Sequence, residues 1–570
     1  MEVRILHPQP KKARLPRAFC LEDDSIFYRL TIPMQRRIHY NEWTLLLVMA
    51  GGILKKTYLY ITTFFSGMVA LAVEMSASRL LGNIYGSSNL IWAVIIGLIL
   101  IYLTVGYSLG GKLADKHPDF RVFYGILMWG SLAVGLVPLV SRPVLQLSAN
   151  AFDSLNVPIL AGAFIAVIVL FALPVTLIGM VSPFALKLAL QDAKDAGKTS
   201  GKLSAVSTLG SFIGTLLPVM VLIPLIGTYR NFLFFSTLLM IVASLGFLIY
   251  VNFKAWLMHG WMPIVLILLW IFGARGADKN TENMIYETES SYNYIQVIEQ
   301  DDYRYLRLNE GQGMHSVYHP TELNYNGPWS QVLVAPFFNA APYSLDSVEH
   351  IAIIGLAAGT TARQATAVYG DIQIDGYEID PKIVEVGRNY FEMNEPNLNV
   401  FIEDGRWGLE HSGTLYDIIS VDAYRPPYIP WHMTTAEFFK IAADHLTEEG
   451  VLVINVGRSP QDRTLVNDLA TTIRTVLPNV FVMDIPGSFN SILFAAQETT
   501  SWDNLFANYA NLITMDVNLL LLEAMAVTLT SQQPDPEITR VYSDDRTPIE
   551  WVTNKIVLDY ILIGGIGDFQ

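Results

Sequence analysis

Residues 351–381 read IAIIGLAAGTTARQATAVYGDIQIDGYEIDP, and this stretch decides the fold of the C-terminal half. Ile351–Ile354 is an apolar run too short for a helix, ended by the glycine-bounded segment Gly355-Leu356-Ala357-Ala358-Gly359. A helix is expected over Thr360–Val368 and a second strand over Ile372–Tyr377. Another helix opens at Pro381, because proline suits a first helical turn whose N–H is unpaired anyway. Short apolar strands alternating with helices pair in parallel. Working outward, that second helix runs to Met393, and further strands are expected at Val400–Ile402, Tyr416–Val421 and Val451–Val456, with a helix over Thr434–Leu446. Upstream, 291–298 and 303–309 predict a hairpin about Gln300-Asp301-Asp302. The expected fold is a doubly wound, mostly parallel α/β sheet preceded by a β-hairpin region. Ligands of such sheets lie outside the carboxyl ends of the strands.

The N-terminal half is a different material. The 570 residues are 52% hydrophobic and 16% charged, against about 25% charged in a typical soluble domain. Residues 1–274 hold 21 Lys+Arg and 11 Asp+Glu, net +10, while 275–570 hold 16 and 41, net −25. A half so acidic repels polyphosphate and excludes general nucleic-acid binding. The single Cys20 excludes a disulfide framework and a cysteine-based zinc site, and no metal is expected. Seven stretches approach the ~20 apolar residues that cross a bilayer: 57–80, 88–111, 122–146, 158–186, 203–226, 231–251 and 256–273. Trp43–Leu54 is too brief to cross and belongs to the approach of the first helix. Pro174 and Pro183 are expected to kink the fourth span. The first 40 residues carry eight Lys/Arg and no cleavable signal is expected there. The organisation is then a basic segment 1–56, a multi-span α-helical membrane domain 57–273, a hairpin region 282–348, an α/β domain 349–500 and an extension 501–570. The bilayer is one expected partner.

Basic loops set orientation. The N-terminal segment, 112–121 and 187–202 are lysine- and arginine-rich and alternate as a cytoplasmic N-terminus in an inner membrane requires. Seven spans would place residue 275 onward outside, whereas a span miscounted around 43–56 or within 158–186 would reverse that, so the side of the soluble half stays open. Gly111-Lys112-Leu113-Ala114-Asp115-Lys116 resembles the cytoplasmic loop motif of major-facilitator transporters. Glu74 and Arg79 sit at the end of the first span, where two readings stand: an interfacial ion pair, or a substrate or coupling role. Gly197-Lys198-Thr199 is no phosphate loop, since position 192 is Asp rather than the glycine that motif needs.

Four features at strand ends carry the chemistry. The Gly355–Gly359 turn lets a ligand approach the backbone where a helix begins. Glu378, about 20 residues beyond it, can accept from ribose hydroxyls. Asp404, followed by Gly405, ends the third strand and Asp422 the fourth. Each acid alone reads equally as a helix cap or surface charge. All four in order read as a nucleoside-type site.

Residues 287–496, with the hairpin Glu287-Thr288 through Leu308-Asn309-Glu310-Gly311-Gln312, resemble the spermidine synthase or polyamine aminopropyltransferase family on the class I methyltransferase-like fold. The whole chain, closing in Ser543-Asp544-Asp545-Arg546-Thr547-Pro548, resembles its membrane-fused members. The resemblance implies Glu378 on the ribose, Asp404 and Gly405 by the adenine, Gly355 and Gly359 beside the sugar, and decarboxylated S-adenosylmethionine as donor. Asp422 matches the family's catalytic aspartate, while Ala358 and Arg425 replace two acids of the diamine site. Asn293 stands where the hairpin usually has glutamine, and Trp329-Ser330-Gln331 in place of Tyr-His-Glu. Tyr318 and Tyr424 are expected walls of an acceptor pocket that also holds Asn293 and Arg425. Arg425 admits a structural pairing or a carboxylate partner such as that of intact S-adenosylmethionine. His315 and His319 read either as proton carriers or, more in keeping with their loop, as surface residues. The expected function is aminopropyl-type transfer to a small amine or other acceptor. S-adenosylmethionine-dependent methyl transfer and a non-catalytic transporter or sensor stay open, as does a homodimer.

Overall fold

The computed structural model describes residues 38–85, 89–155, 159–190, 195–273, 281–309, 313–423 and 429–562. The chain divides into two compact units, Met1–Leu54 and Lys55–Gln570. Among the described residues, eight helices of eight or more residues order the apolar half: α1 (Ile38–Tyr85), α2 (Asn89–Lys116), α3 (Phe120–Leu155), α4 (Ile159–Gly179), α5 (Val181–Ala189), α6 (Ala196–Leu217), α7 (Thr228–Tyr250) and α8 (Trp261–Leu268). Among the described residues, six segments are long and apolar enough to cross a membrane: Thr57–Asn83, Ile91–Lys116, Phe120–Leu145, Gly162–Ala189, Ala196–Ile226 and Thr228–Tyr250. The break between α4 and α5 falls at Met180, just upstream of Pro183, whose ring excludes the carbonyl four residues back.

The seventh expected span differs. Phe253–Leu257 is one short helix, a turn follows at Met258–Gly260, and Trp261–Gly273 is a separate apolar helix. The reason is Pro263: without an N–H it fits only the first turn of a new helix. Close packing within the bundle uses small residues. A Cβ on Gly210 or Gly214 would collide with the backbone of Phe64 or Met68 on α1.

In the second half, β1 (Met284–Glu289), β2 (Tyr294–Gln300), β3 (Tyr303–Leu308) and β4 (Met314–Tyr318) form an antiparallel sheet in that order. Asp301 and Asp302 turn the β2–β3 hairpin with φ of 52° and 67°, the paired left-handed geometry of a two-residue turn. The larger sheet holds β5 (His350–Ile354), β6 (Gln373–Tyr377), β7 (Leu398–Phe401), β8 (Tyr416–Val421), β9 (Leu446–Gly457), β10 (Asn479–Asp484) and β11 (Asn490–Ala496). Its spatial order is β10-β11-β9-β8-β5-β6-β7, parallel from β9 to β7. Helices α9 (Thr360–Tyr369), α10 (Pro381–Tyr390), α11 (Gly405–Glu410), α12 (Ala436–Asp444), α13 (Thr464–Ile473), α14 (Trp502–Leu512), α15 (Leu519–Thr530) and α16 (Ile549–Leu562) complete it. This is the methyltransferase-like α/β arrangement the sequence predicts.

Burial alternates through β5: Ile351 and Ile353 join one apolar core, Ala352 and Ile354 the other, so both faces of the sheet are covered. The chain runs from β5 outward through β6 and β7, then returns to β8 on the other side. The β5/β8 edge is therefore the topological switch point, where a crevice opens. The small sheet packs there: Ile295, Val297, Leu306 and Tyr318 meet Ala358, Ile383 and Val386.

Candidate functional site

The turn after β5 is held at close quarters. Gly355 (φ 86°) lies against β8, and a Cβ there would fall 2.5 Å from the carbonyl oxygen of Asp422. Gly359 (φ 85°) caps α9. Ala357 also takes positive φ, 50°, a strain that L-residues tolerate only when their surroundings impose it. Its N–H donates to Oε2 of Glu378 (3.0 Å), and the Ala358 N–H to Ser316 Oγ (2.9 Å) on β4. Glu378 is buried, and its Oε1 accepts from the Asp380 N–H (3.0 Å). Burial pushes the Glu378 carboxyl up to about 7, against the pull of those backbone donors.

Asp404 does two jobs. One carboxylate oxygen caps α11, accepting from the N–H groups of Arg406 (3.0 Å) and Trp407 (3.1 Å). The other meets His432 Nε2 at 2.9 Å, and this contact holds the carboxyl below its usual range. Gly405 follows because a Cβ there would strike Ile354. Arg406 in turn donates to both oxygens of Asp544 (2.8 and 2.7 Å) in the C-terminal tail, so the tail braces this corner. Sequence reasoning missed His432 and Asp544 as partners of the 404–406 segment. They come from 28 and 138 residues away, where no local pattern points to them.

Asp422 leaves β8 at the switch point with its N–H on the Ile354 carbonyl (2.9 Å). Its Oδ1 accepts from Asn455 Nδ2 (2.9 Å), another residue unnoticed in the sequence. Desolvation raises the Asp422 carboxyl to about 7. Asn455 Oδ1 is buried with no partner within the protein. A 410 Å³ cavity lies between the two sheets, walled by Tyr303, Tyr305, Met314, Val317, Tyr325, Trp329 and Asn490 among others. Asn490 pairs with Gly457 of β9, two residues beyond Asn455. Trp329 reaches the cavity. Gln331 does not, being buried and bonded to Thr528 Oγ1 (2.6 Å).

The remaining expected residues separate. Asn293 serves as a clamp, donating to Asp380 Oδ2 (3.0 Å) and accepting from Asn309 Nδ2 (2.9 Å). Tyr318 is buried under the Arg363 guanidinium, 4.3 Å from its ring centre. His315 corrects the surface reading: its Nε2 is buried without a partner, and desolvation lowers the ring to about 4, keeping it neutral. His319 accepts from the N–H of Glu322 (3.0 Å) in its loop. Glu74 is buried within the helical bundle. Arg79 donates to the carbonyls of Ser290 (2.7 Å) and Tyr292 (3.1 Å) at the β1–β2 turn. Tyr424 and Arg425 lie outside the described residues. Among the described residues no group of three or more His, Cys, Asp or Glu side chains is placed to hold a metal.

Fold and site together define a methyltransferase-like α/β domain with its polar groups gathered at the switch-point edge. Residues 339–505 match the family model of the spermine/spermidine synthase domain, and this region belongs to that family. A probable polyamine aminopropyl transferase of Bifidobacterium longum is 31% identical over 304 residues, covering 50% of this chain and 66% of its own. A polyamine aminopropyltransferase of Vibrio vulnificus is 29% identical over 215 residues, covering 36% of this chain and 68% of its own. The chain thus spans about two thirds of the length of these relatives. A probable spermidine synthase from Corynebacterium glutamicum superposes over 44% of this chain and 98% of its own, at 19% identity and a TM-score of 0.35.

Proposed function

We propose that residues 281–562 transfer an aminopropyl-type group from an adenosyl-sulfonium donor to an amine, and that the six long apolar helices hold this domain at a bilayer. The carrying observation is Asp422: it abuts the glycine turn at the switch point, with a carboxyl raised to about 7. An amine is nucleophilic only when deprotonated, and free amines titrate near 10. A base poised near the working pH is the group such a reaction needs. The amine nitrogen attacks the carbon next to the sulfonium. The acceptor's ammonium proton first passes to Asp422 and on to water; on attack the C–S bond breaks with its electron pair leaving on sulfur as a neutral thioether, and the alkylated nitrogen departs as its ammonium. Glu378 fixes the glycine turn and offers its oxygens to a ribose, while the aromatic cavity receives the acceptor and stabilises its cationic end. Support for anchoring comes from α6 and the π-helical segment Pro218–Leu222 that continues it, where Phe212 is 61% and Met220 70% exposed, apolar surface that suits lipid.

The test uses detergent- or nanodisc-held full-length protein with decarboxylated S-adenosylmethionine and a panel of diamines, read by mass spectrometry for aminopropylated product and thioether nucleoside. The Asp422→Asn variant is expected to lose about 10²–10⁴-fold in kcat. Turnover of intact S-adenosylmethionine to a methylated product instead would replace aminopropyl transfer with methyl transfer. Binding of nucleoside without turnover of either donor would make the domain a receptor.

A further inference from the structure

The helical bundle has two distinguishable ends. At one end Tyr58 of α1 donates to the Val242 carbonyl (2.7 Å) of α7, and Phe120 stacks on Tyr250 with ring centres 4.0 Å apart. The start of the first span, the start of α3 and the end of α7 therefore share this end. Lys187 Nζ lies 2.7 Å from Asp115, which puts the ends of α2 and α5 on one level, and α2 is joined to α3 there by three residues. This end carries Lys112, Lys116, Arg121, Lys187, Lys198, Lys202 and Lys254.

The opposite end is where the second half docks. Asn83 Nδ2 donates to Glu289 Oε1 (2.8 Å), and the Thr228 N–H to Glu289 Oε2 (2.6 Å), so one carboxylate joins the end of α1 to the start of α7. Arg79 holds the neighbouring turn through two carbonyls. A 26-residue span rises about 39 Å, so the two ends lie on opposite sides of a bilayer. Among the described residues of the bundle, the cations at this second end are Arg79, Arg142 and Arg230, with Arg142 laid over the Tyr229 ring at 4.7 Å. The last described segment of the bundle, Trp261–Gly273, lies along the helices between the two ends: Trp261 packs on Trp129 of α3 (5.8 Å) and Trp270 Nε1 donates to Thr237 of α7 (2.9 Å).

Short loops rich in Lys and Arg stay in the cytoplasm, while long domains cross largely regardless of their own charge. We infer that the acidic α/β domain, docked through Arg79, Asn83 and Glu289, stands on the extracytoplasmic side of the membrane, and that its site meets ligands of that compartment. The inference rests on the bilayer anchoring proposed above. Given the transfer reaction as well, the adenosine-bearing cation must come from a step that exports or releases it there.

Single-cysteine labelling tests this in the full chain. In a Cys20→Ser background, Glu498→Cys reports on an exposed position of the α/β domain and His117→Cys on the α2–α3 loop. A charged, membrane-impermeant maleimide applied to intact spheroplasts is expected to label the Glu498→Cys variant, and the His117→Cys variant only after permeabilisation, with at least a tenfold contrast. The reverse pattern overturns the inference while leaving anchoring intact. Release of the chain from membranes by alkaline carbonate overturns anchoring and the inference together.

Discussion

Asp422 and Glu378 share one physical signature: each carboxyl loses water more than it gains hydrogen bonds, and both rise to about 7. An acid whose folded pKa lies above its unfolded value binds more protons folded than unfolded. Its contribution to stability therefore falls as pH rises from about 4 through 7 and is flat above that. Asp404 works in the opposite sense, because its lowered pKa costs stability only as pH drops below the ordinary carboxylate range. Thermal unfolding of the purified chain is thus expected to be steadiest on the mildly acidic side. The Asp422→Asn variant should show a shallower decline between about pH 5 and 8. An unchanged slope would place the raised proton elsewhere. Turnover has the opposite pH sense: the base must be ionised, so kcat/KM is expected to climb as pH passes through about 7.

At the scale of elements, Asp404 shows how one residue carries two readings from its sequence alone. As the cap of α11 it accepts two backbone N–H groups, and a cap of this kind is worth about 1–2 kcal/mol. Asp404→Ala is expected to speed amide exchange at Arg406 and Trp407 by about 5–30-fold, since that is the factor such an energy makes. Asp404→Asn retains an acceptor and should change exchange much less. If both variants weaken nucleoside binding equally while exchange differs, the carboxylate charge acts on the ligand and not through the helix. The β5–α9 turn was legible in sequence because glycine at both ends is a local requirement. The α11 corner was not, because His432 and Asp544 reach it only through the folded sheet order.

Across the whole molecule, a hydrogen-bonded line joins the bundle to the site. Arg79 holds the Ser290 carbonyl, Ser290 Oγ donates to Asp380 (2.5 Å), the Asp380 N–H donates to Glu378, and Glu378 receives Ala357 from the glycine turn. A charged donor lost from such a line costs about 1.5–3 kcal/mol. Arg79→Ala is expected to raise exchange at residues 289–293 and to weaken adenosine-ligand binding, whereas Arg79→Lys restores part of both. Faster exchange with unchanged ligand affinity would confine Arg79 to docking.

The sequence by itself determined the two-material organisation, the parallel sheet and which acids stand at strand ends, because charge, hydropathy and strand–helix alternation are local properties. Only the tertiary structure decided what each side chain touches. Asn293 became a clamp on Asp380. The seventh apolar stretch broke at Met258–Gly260, ahead of Pro263, and Arg79 became a tie to the β1–β2 turn, a contact neither sequence reading gave it. The Asn293 and Arg79 contacts depend on groups brought together from more than 80 residues apart, with separations of 87 residues to Asp380 and 211 to Ser290. Sheet order and helix packing fix such pairs, and no local pattern encodes them.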